Sequence, residues 1–194
     1  MRVLVTGGAG FIGRRVTEQL VLRGHDVAML ARGDAHDTGK AHVIRGDLAE
    51  IGKIEHLLRE WKPDSCIHLA WYAEPGKYLS SPLNAQLLGW SLDLLRTLAS
   101  AGCRHVVMAG TCAEYDSDYG YLREDGPTRP TTLYAASKLS LYLTARQLAE
   151  LSGVRFAWGR VFFPYGPGED PRRAVSALIN ALLRNERFKA TEGA

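Results

Sequence analysis

Residues 1–13 read Met1-Arg2-Val3-Leu4-Val5-Thr6-Gly7-Gly8-Ala9-Gly10-Phe11-Ile12-Gly13, and their reading decides the fold. Three consecutive apolar residues suit a strand buried on both faces. Glycines follow at once, and from Phe11 onward apolar positions recur three and four apart, the period of a helix. Gly8, Gly10 and Gly13 satisfy G-x-G-x-x-G, while Gly7, Gly10 and Gly13 satisfy the wider G-x-x-G-x-x-G. At a strand-to-helix junction one glycine makes the tight turn, another lets backbone approach a pyrophosphate, and a third lets the helix pack on the strand. The helix start then offers free N–H groups and its positive dipole end to the phosphates. The loop predicts a bound dinucleotide, with Gly7, Gly10, Phe11, Ile12 and Gly13 around it.

Outward from this loop the same alternation continues. Strand-like apolar runs stand at 27–30, 42–44, 66–69, 105–108 and 155–158, each expected to be buried on both faces. Helical periodicity covers 51–61, 83–100 and 133–151, with one more helix at about 173–183. Strand alternating with helix implies right-handed crossovers and a parallel sheet covered on both sides. Gly24, Pro63-Asp64, Gly102 and Gly153 punctuate the element ends. The expectation is an α/β, Rossmann-like doubly wound parallel sheet with helices on both faces, its dinucleotide-binding domain spanning 1–165. The polar stretch 120–130 reads as a loop beside the site.

Composition narrows the function. Of 194 residues 46% are hydrophobic and 23% charged, which excludes disordered and fibrous classes. A net charge of +3 with no long Lys/Arg run gives no support to a nucleic-acid or membrane-surface role. Cys66, Cys103 and Cys112 form no CxxC pair, and the six histidines show no ligand spacing, so neither a disulfide framework nor a metal site is expected. The start MRVLVTGGAG lacks the apolar core of a signal peptide, and no stretch has the roughly 18 apolar residues that span a bilayer. A cytoplasmic protein is expected.

The end of the second strand addresses which dinucleotide is bound. An NAD site usually places an acid there for the ribose 2′-OH, but this chain runs Leu30-Ala31-Arg32. Arg32 can fork onto a 2′-phosphate, so NADP(H) is expected in preference to NAD(H). In the alternative, Arg32 is solvated and Asp34 serves as the acid. After the third strand, Asp47 and Leu48 are placed at the adenine, with Asp47 either bonding its amine or capping a helix.

Tyr134 and Lys138 lie four apart, on one helix face. Free tyrosine has a pKa near 10, and a nearby ammonium favours phenolate, which would make the pair a usable proton donor and acceptor. Thr111, in Gly110-Thr111-Cys112-Ala113-Glu114-Tyr115, falls at the carboxyl end of the sheet, where open α/β sheets bind ligands. The aromatic run from Trp71 to Tyr78 follows strand four and reads either as a pocket wall or as loop packing.

Together these blocks resemble the extended short-chain dehydrogenase/reductases of the NAD(P)-dependent nucleotide-sugar epimerase/dehydratase family. Thr6–Gly13, Thr111 to Tyr115 and Tyr134-x-x-x-Lys138 carry the resemblance. Arg160-Val161-Phe162-Phe163-Pro164-Tyr165-Gly166-Pro167 is similar to the family's R-x-F-N-x-Y-G-P, His68-Leu69-Ala70 to the turn lining the nicotinamide side, and Asn84 to a position commonly Asn. The resemblance implies Tyr134 as acid/base, Lys138 bonding the nicotinamide ribose and lowering the Tyr134 pKa, Thr111 holding the reacting sugar oxygen, and Leu69 and Ala70 against the cofactor. It implies a nucleotide-sugar epimerase or 4-keto reductase with a nucleotide-sugar substrate, and a homodimer through helices 83–100 and 133–151.

Two departures narrow the reaction. Family dehydratases carry an acid directly after the Ser/Thr; here Cys112 and Ala113 stand there, and Glu114 comes one residue late, on the opposite side of an extended chain. Elimination is thereby disfavoured, leaving dehydratase and non-catalytic sensor as alternatives. Phe163 replaces an Asn that often touches the substrate in family members, implying an altered sugar site or a deoxy substrate, or else simple packing under the loop. The resemblance also makes 166–194 the start of a truncated substrate-binding region, so the 194-residue chain is expected to bind cofactor without turning over a nucleotide sugar.

Overall fold

The computed structural model describes residues 1–33 and 40–188. Asp34, the alternative ribose acid, lies outside the described residues. Six parallel strands, β1 (Arg2–Thr6), β2 (Asp26–Ala31), β3 (His42–Arg45), β4 (Ser65–His68), β5 (His105–Thr111) and β6 (Arg155–Val161), form one sheet in the order β3-β2-β1-β4-β5-β6. The order reverses direction at β1, so the crevice between the ends of β1 and β4 is where such a sheet takes its ligand.

Alternation along the strands sorts side chains to two faces. Leu4, Ala28, Cys66, Val106 and Met108 face one way, into a core with Leu58 of α2 (Glu55–Trp61), Leu94, Leu95 and Leu98 of α3 (Leu83–Ser100), and Leu141, Ala145 and Ala149 of α4 (Leu133–Leu151). Val3, Val5 and Val27 face the other way, toward Leu20 and Val21 of α1 (Phe11–Leu22). A 3₁₀ stretch, Leu48–Ile54, precedes α2, where periodicity alone suggests one helix over 51–61.

One expectation is corrected. The outer strands are not buried on both faces: β3 and β6 contain no fully buried residue, and Val107 of β5 is 37% exposed. Edge strands have a sheet neighbour on one side only, and α1 covers the second face over β1 and β2 rather than over β5 and β6.

The chain divides into two compact units, Met1–Phe162 and Phe163–Ala194. In the described part of the second, α5 (Ala174–Leu183) contains no buried residue. Phe163 is 83% exposed, which overturns its reading as packing under the loop. Among the described residues no helix is long and apolar enough to cross a membrane, and no group of His, Cys, Asp or Glu has metal-ligand geometry.

Candidate active site

The glycine loop has the geometry that its sequence requires. Gly7 has φ of +70°, and a Cβ there would lie 2.7 Å from the Ala70 nitrogen; a Cβ on Gly13 would lie 2.0 Å from the Gly7 carbonyl oxygen. Neither position admits a side chain, because the start of α1 is pressed onto the loop and the loop onto the end of β4. The Gly10 N–H donates to the Gly7 carbonyl at 3.0 Å, and Gly10 is the N-cap of α1 with no side chain bonded to the first N–H groups. Phe11 and Ile12 thus begin a helix whose end is left to a ligand.

A buried relay fixes the neighbouring turn. His68, 2% exposed, meets the Thr6 hydroxyl through Nδ1 at 2.6 Å and the Ser91 hydroxyl through Nε2 at 2.9 Å. Ser91 donates to the Leu87 carbonyl, so its oxygen accepts from Nε2–H, and Nδ1 accepts from Thr6. Thr6 then accepts from the Ala70 N–H at 3.2 Å, and the Leu69 N–H donates to the Thr6 carbonyl at 3.1 Å. Burial, reinforced by Lys138, lowers the His68 pKa to about 3, so the ring stays neutral. His68 supports the turn rather than titrating in the site.

The remaining cofactor candidates are spread along the strand ends. Arg32 follows the last residue of β2 and is exposed. Asp47 caps the 3₁₀ stretch, its Oδ1 accepting from the Ala49 N–H at 3.0 Å, which is the second of its two readings. Leu48, 7% exposed, has its side chain in the core.

Thr111, Tyr134 and Lys138 come together as expected. Thr111 ends β5 with its hydroxyl beside the Tyr134 phenol on the first turn of α4, where it opposes the rise that burial gives the phenol's pKa. That turn is capped by Thr132, whose hydroxyl accepts from the Ala135 N–H at 3.1 Å. One turn on, Lys138 is 4% exposed; its Nζ donates to the Ala109 carbonyl at 2.8 Å and lies 3.7 Å from the centre of the Trp71 ring. Burial lowers the Lys138 pKa to about 7, with Glu114 opposing the shift.

The expected lowering of the Tyr134 pKa is contradicted. Burial raises it, and the main opposing influence is the Thr111 hydroxyl. The physical reason is orientation: the Lys138 amine is directed to Ala109 and Trp71, while the phenol is enclosed by rings. Tyr78 packs edge-on at 4.8 Å and Trp71 at 6.4 Å between centres. Trp71 is itself fixed by donating to Asn84 Oδ1 at 2.8 Å, and the wholly buried Asn84 amide donates to the Tyr78 and Ser81 carbonyls. The aromatic run is therefore part of the site wall. Cys112 has its thiol pushed up by burial, which fits an inert thiol.

A second cluster lies under Thr111. Glu114 is wholly buried and pairs with Arg160 of β6 at 2.7 Å. Reading the blocks one by one misses this pair, although both residues belong to motifs already singled out. Their signal is two opposite charges near the carboxyl ends of neighbouring strands, Glu114 just past β5 and Arg160 in β6, with Gly110 opposite Arg160 in register.

Comparison with known proteins defines the class. The model of the NAD dependent epimerase/dehydratase family matches residues 3–192, and the chain belongs to that family. Among its relatives, UDP-glucose 4-epimerase of Corynebacterium glutamicum is 32% identical over 197 residues, covering 95% of this chain and 58% of that enzyme. The crystal structure of the Thermus thermophilus UDP-glucose 4-epimerase in complex with NAD superposes with a TM-score of 0.80 at 28% identity, over 97% of this chain and 64% of that one. An NAD-dependent NDP-hexosamine 5,6-dehydratase of tunicamycin biosynthesis gives 0.79 at 30% identity, over 94% and 61%. The chain thus spans less than two thirds of the length of these relatives.

Proposed function

We propose that the protein is an NAD(P)-dependent nucleotide-sugar epimerase or 4-keto reductase of the extended short-chain dehydrogenase type. The observation that carries this reading is the Tyr134 phenol packed against Trp71 and Tyr78, one helical turn from the Lys138 amine buried against the same Trp71 ring, with Thr111 beside them at the end of β5. The glycine cradle fits a dinucleotide, because Gly7 and Gly13 leave no room for side chains where pyrophosphate would meet backbone. When bound, the nicotinamide supplies hydride exchange with a sugar carbon, which no side chain can provide.

The chain's own residues supply the proton chemistry. With its pKa held above the ordinary value, Tyr134 is protonated at neutral pH, the state that donates to a keto oxygen. Thr111 holds that oxygen and shares its proton. Lys138, with a pKa of about 7, exchanges a proton at little cost near neutrality. Leu69 and Ala70 form the cofactor-side turn, Asp47 and Leu48 the adenine edge. Elimination is disfavoured: Glu114 has no exposed surface and its carboxylate is engaged by Arg160, so it is not available as an acid beside Thr111.

In the full-length protein, Tyr134→Phe should lower turnover of a UDP-hexose by about 10²–10⁴ with cofactor affinity unchanged. An undiminished rate would leave a cofactor-binding sensor instead.

NADP(H) is the proposed cofactor, supported by the exposed Arg32 after β2 and the lack of an acid at Leu30 or Ala31. NADPH should therefore bind more tightly than NADH by fluorescence titration, and Arg32→Ala should remove about tenfold of that preference. Equal affinities would assign the site to NAD(H). The protein is proposed to work in the cytoplasm as a homodimer through α3 and α4, the second of which exposes Leu133 and Leu143.

A further inference from the structure

We propose that Glu114 is the positioning residue of this site: paired with Arg160 and tied to the Thr111 backbone, it fixes where the Thr111 hydroxyl stands against the Tyr134 phenol. The inference rests on the roles assigned above to Thr111 and Tyr134. Glu114 has no exposed surface, and a carboxylate out of water is tolerated only where donors surround it. Here they converge. Oε1 accepts from the Thr111 N–H at 2.8 Å, Oε2 from Arg160 Nε at 2.7 Å, and the Trp158 indole N–H approaches both oxygens at 3.2 and 3.1 Å. The Thr111 side chain and Glu114 together close a capping box around the turn 112–114.

The pair also spans the elements that must be held in register. Arg160 Nη1 donates to the Tyr115 hydroxyl and the Glu124 carbonyl, each at 3.1 Å. Its guanidinium stands 4.5 Å from the Tyr115 ring centre and 5.2 Å from that of Tyr142, on α4. Glu114 and Arg160 thus join the end of β5, which carries Thr111, to β6, to the loop at 124 and to the helix that carries Tyr134 and Lys138. Backbone space is reserved for the arrangement: a Cβ on Gly110 would lie 2.1 Å from Trp158 Nε1 and 2.7 Å from Glu114 Oε1. A buried ion pair is seldom more stabilising than apolar residues of the same volume, but it is directional. Its charge also supports protonation of Lys138 against burial.

The test uses the isotope-labelled protein and needs no turnover, so it stands or falls separately from the Tyr134→Phe kinetics. In Glu114→Gln the Thr111 amide proton loses its charged acceptor and moves upfield. The nuclear Overhauser contact between the Thr111 methyl and the Tyr134 ring weakens by about half or more, while NADPH affinity stays within about twofold. Glu114→Gln/Arg160→Met removes both charges and recovers melting temperature relative to Arg160→Met alone, yet leaves the Thr111–Tyr134 contact weak. Should Glu114→Gln not fold, the double variant decides by itself. An unchanged Thr111–Tyr134 contact in either variant, or its recovery together with stability, would make Glu114 a structural residue and overturn the proposal.

Discussion

Lys138→Met is expected to be more stable than the natural chain at pH 6, by about 2 kcal/mol, with the margin closing as the pH approaches 10. The amine is buried, with a pKa of about 7 in the fold against 10.5 as its ordinary value. Below pH 7 both folded and unfolded chains carry the proton, and the full cost of burying an ammonium, on the order of 5 kcal/mol, is present. Between 7 and 10.5 the unfolded chain binds the proton that the folded chain has released, so the natural protein gains stability as pH rises. Above 10.5 both are neutral and the penalty is gone. Methionine also forfeits the bond to Ala109, about 1 kcal/mol, and the ammonium's contact with the Trp71 ring, about 1–2 kcal/mol, which reduces the net gain. Urea denaturation of both chains at pH 6 and pH 10 measures this. A Met variant that is less stable at pH 6, or a difference that does not shrink with pH, would refute the burial account. A lysine retained at such a cost is what an active site looks like from the side of stability.

That cost is not legible in the sequence, whereas the position of Lys138 is. Helical spacing puts Tyr134 and Lys138 on one face of 133–151, and the structure has that helix with those ends. The glycine loop marks the first crossover, and apolar runs mark all six strands, because both depend on local backbone chemistry. What spacing does not encode is direction in three dimensions. Spacing alone lets the Lys138 amine act on the phenol; in the fold it is turned to the Ala109 carbonyl by packing under Trp71, a residue 67 positions earlier that only the sheet brings near. Likewise the sequence leaves Asp47 open between cap and ligand, and the cap depends on how the chain enters 48–54. Apolar runs predict full burial for β3 and β6 because they look alike in central and edge strands; strand order is a property of the whole sheet.

The Glu114–Arg160 pair gives the second large effect, of opposite sign. Arg160→Met should destabilise the fold by about 3–5 kcal/mol, since it leaves a wholly buried carboxylate without its counter-ion. The Trp158 and Thr111 N–H groups remain, but neutral donors do not replace a guanidinium, and Tyr115 and the Glu124 carbonyl lose their partner as well. Removing the acid at the same time, as Glu114→Leu/Arg160→Met, should recover most of the loss, because two apolar side chains of similar volume remove the desolvation problem together. Denaturant midpoints of the single and double variants at pH 7 test this. If Arg160→Met costs less than about 1 kcal/mol, the carboxylate does not depend on Arg160 for its burial. If the double variant is no better than the single, the loss comes from packing around Tyr115 and Tyr142 rather than from charge. The recovery also separates two meanings of importance: a chain that regains stability with both charges gone shows that the pair is not required for folding, and its geometry at Thr111 is then a matter of where a hydroxyl is held.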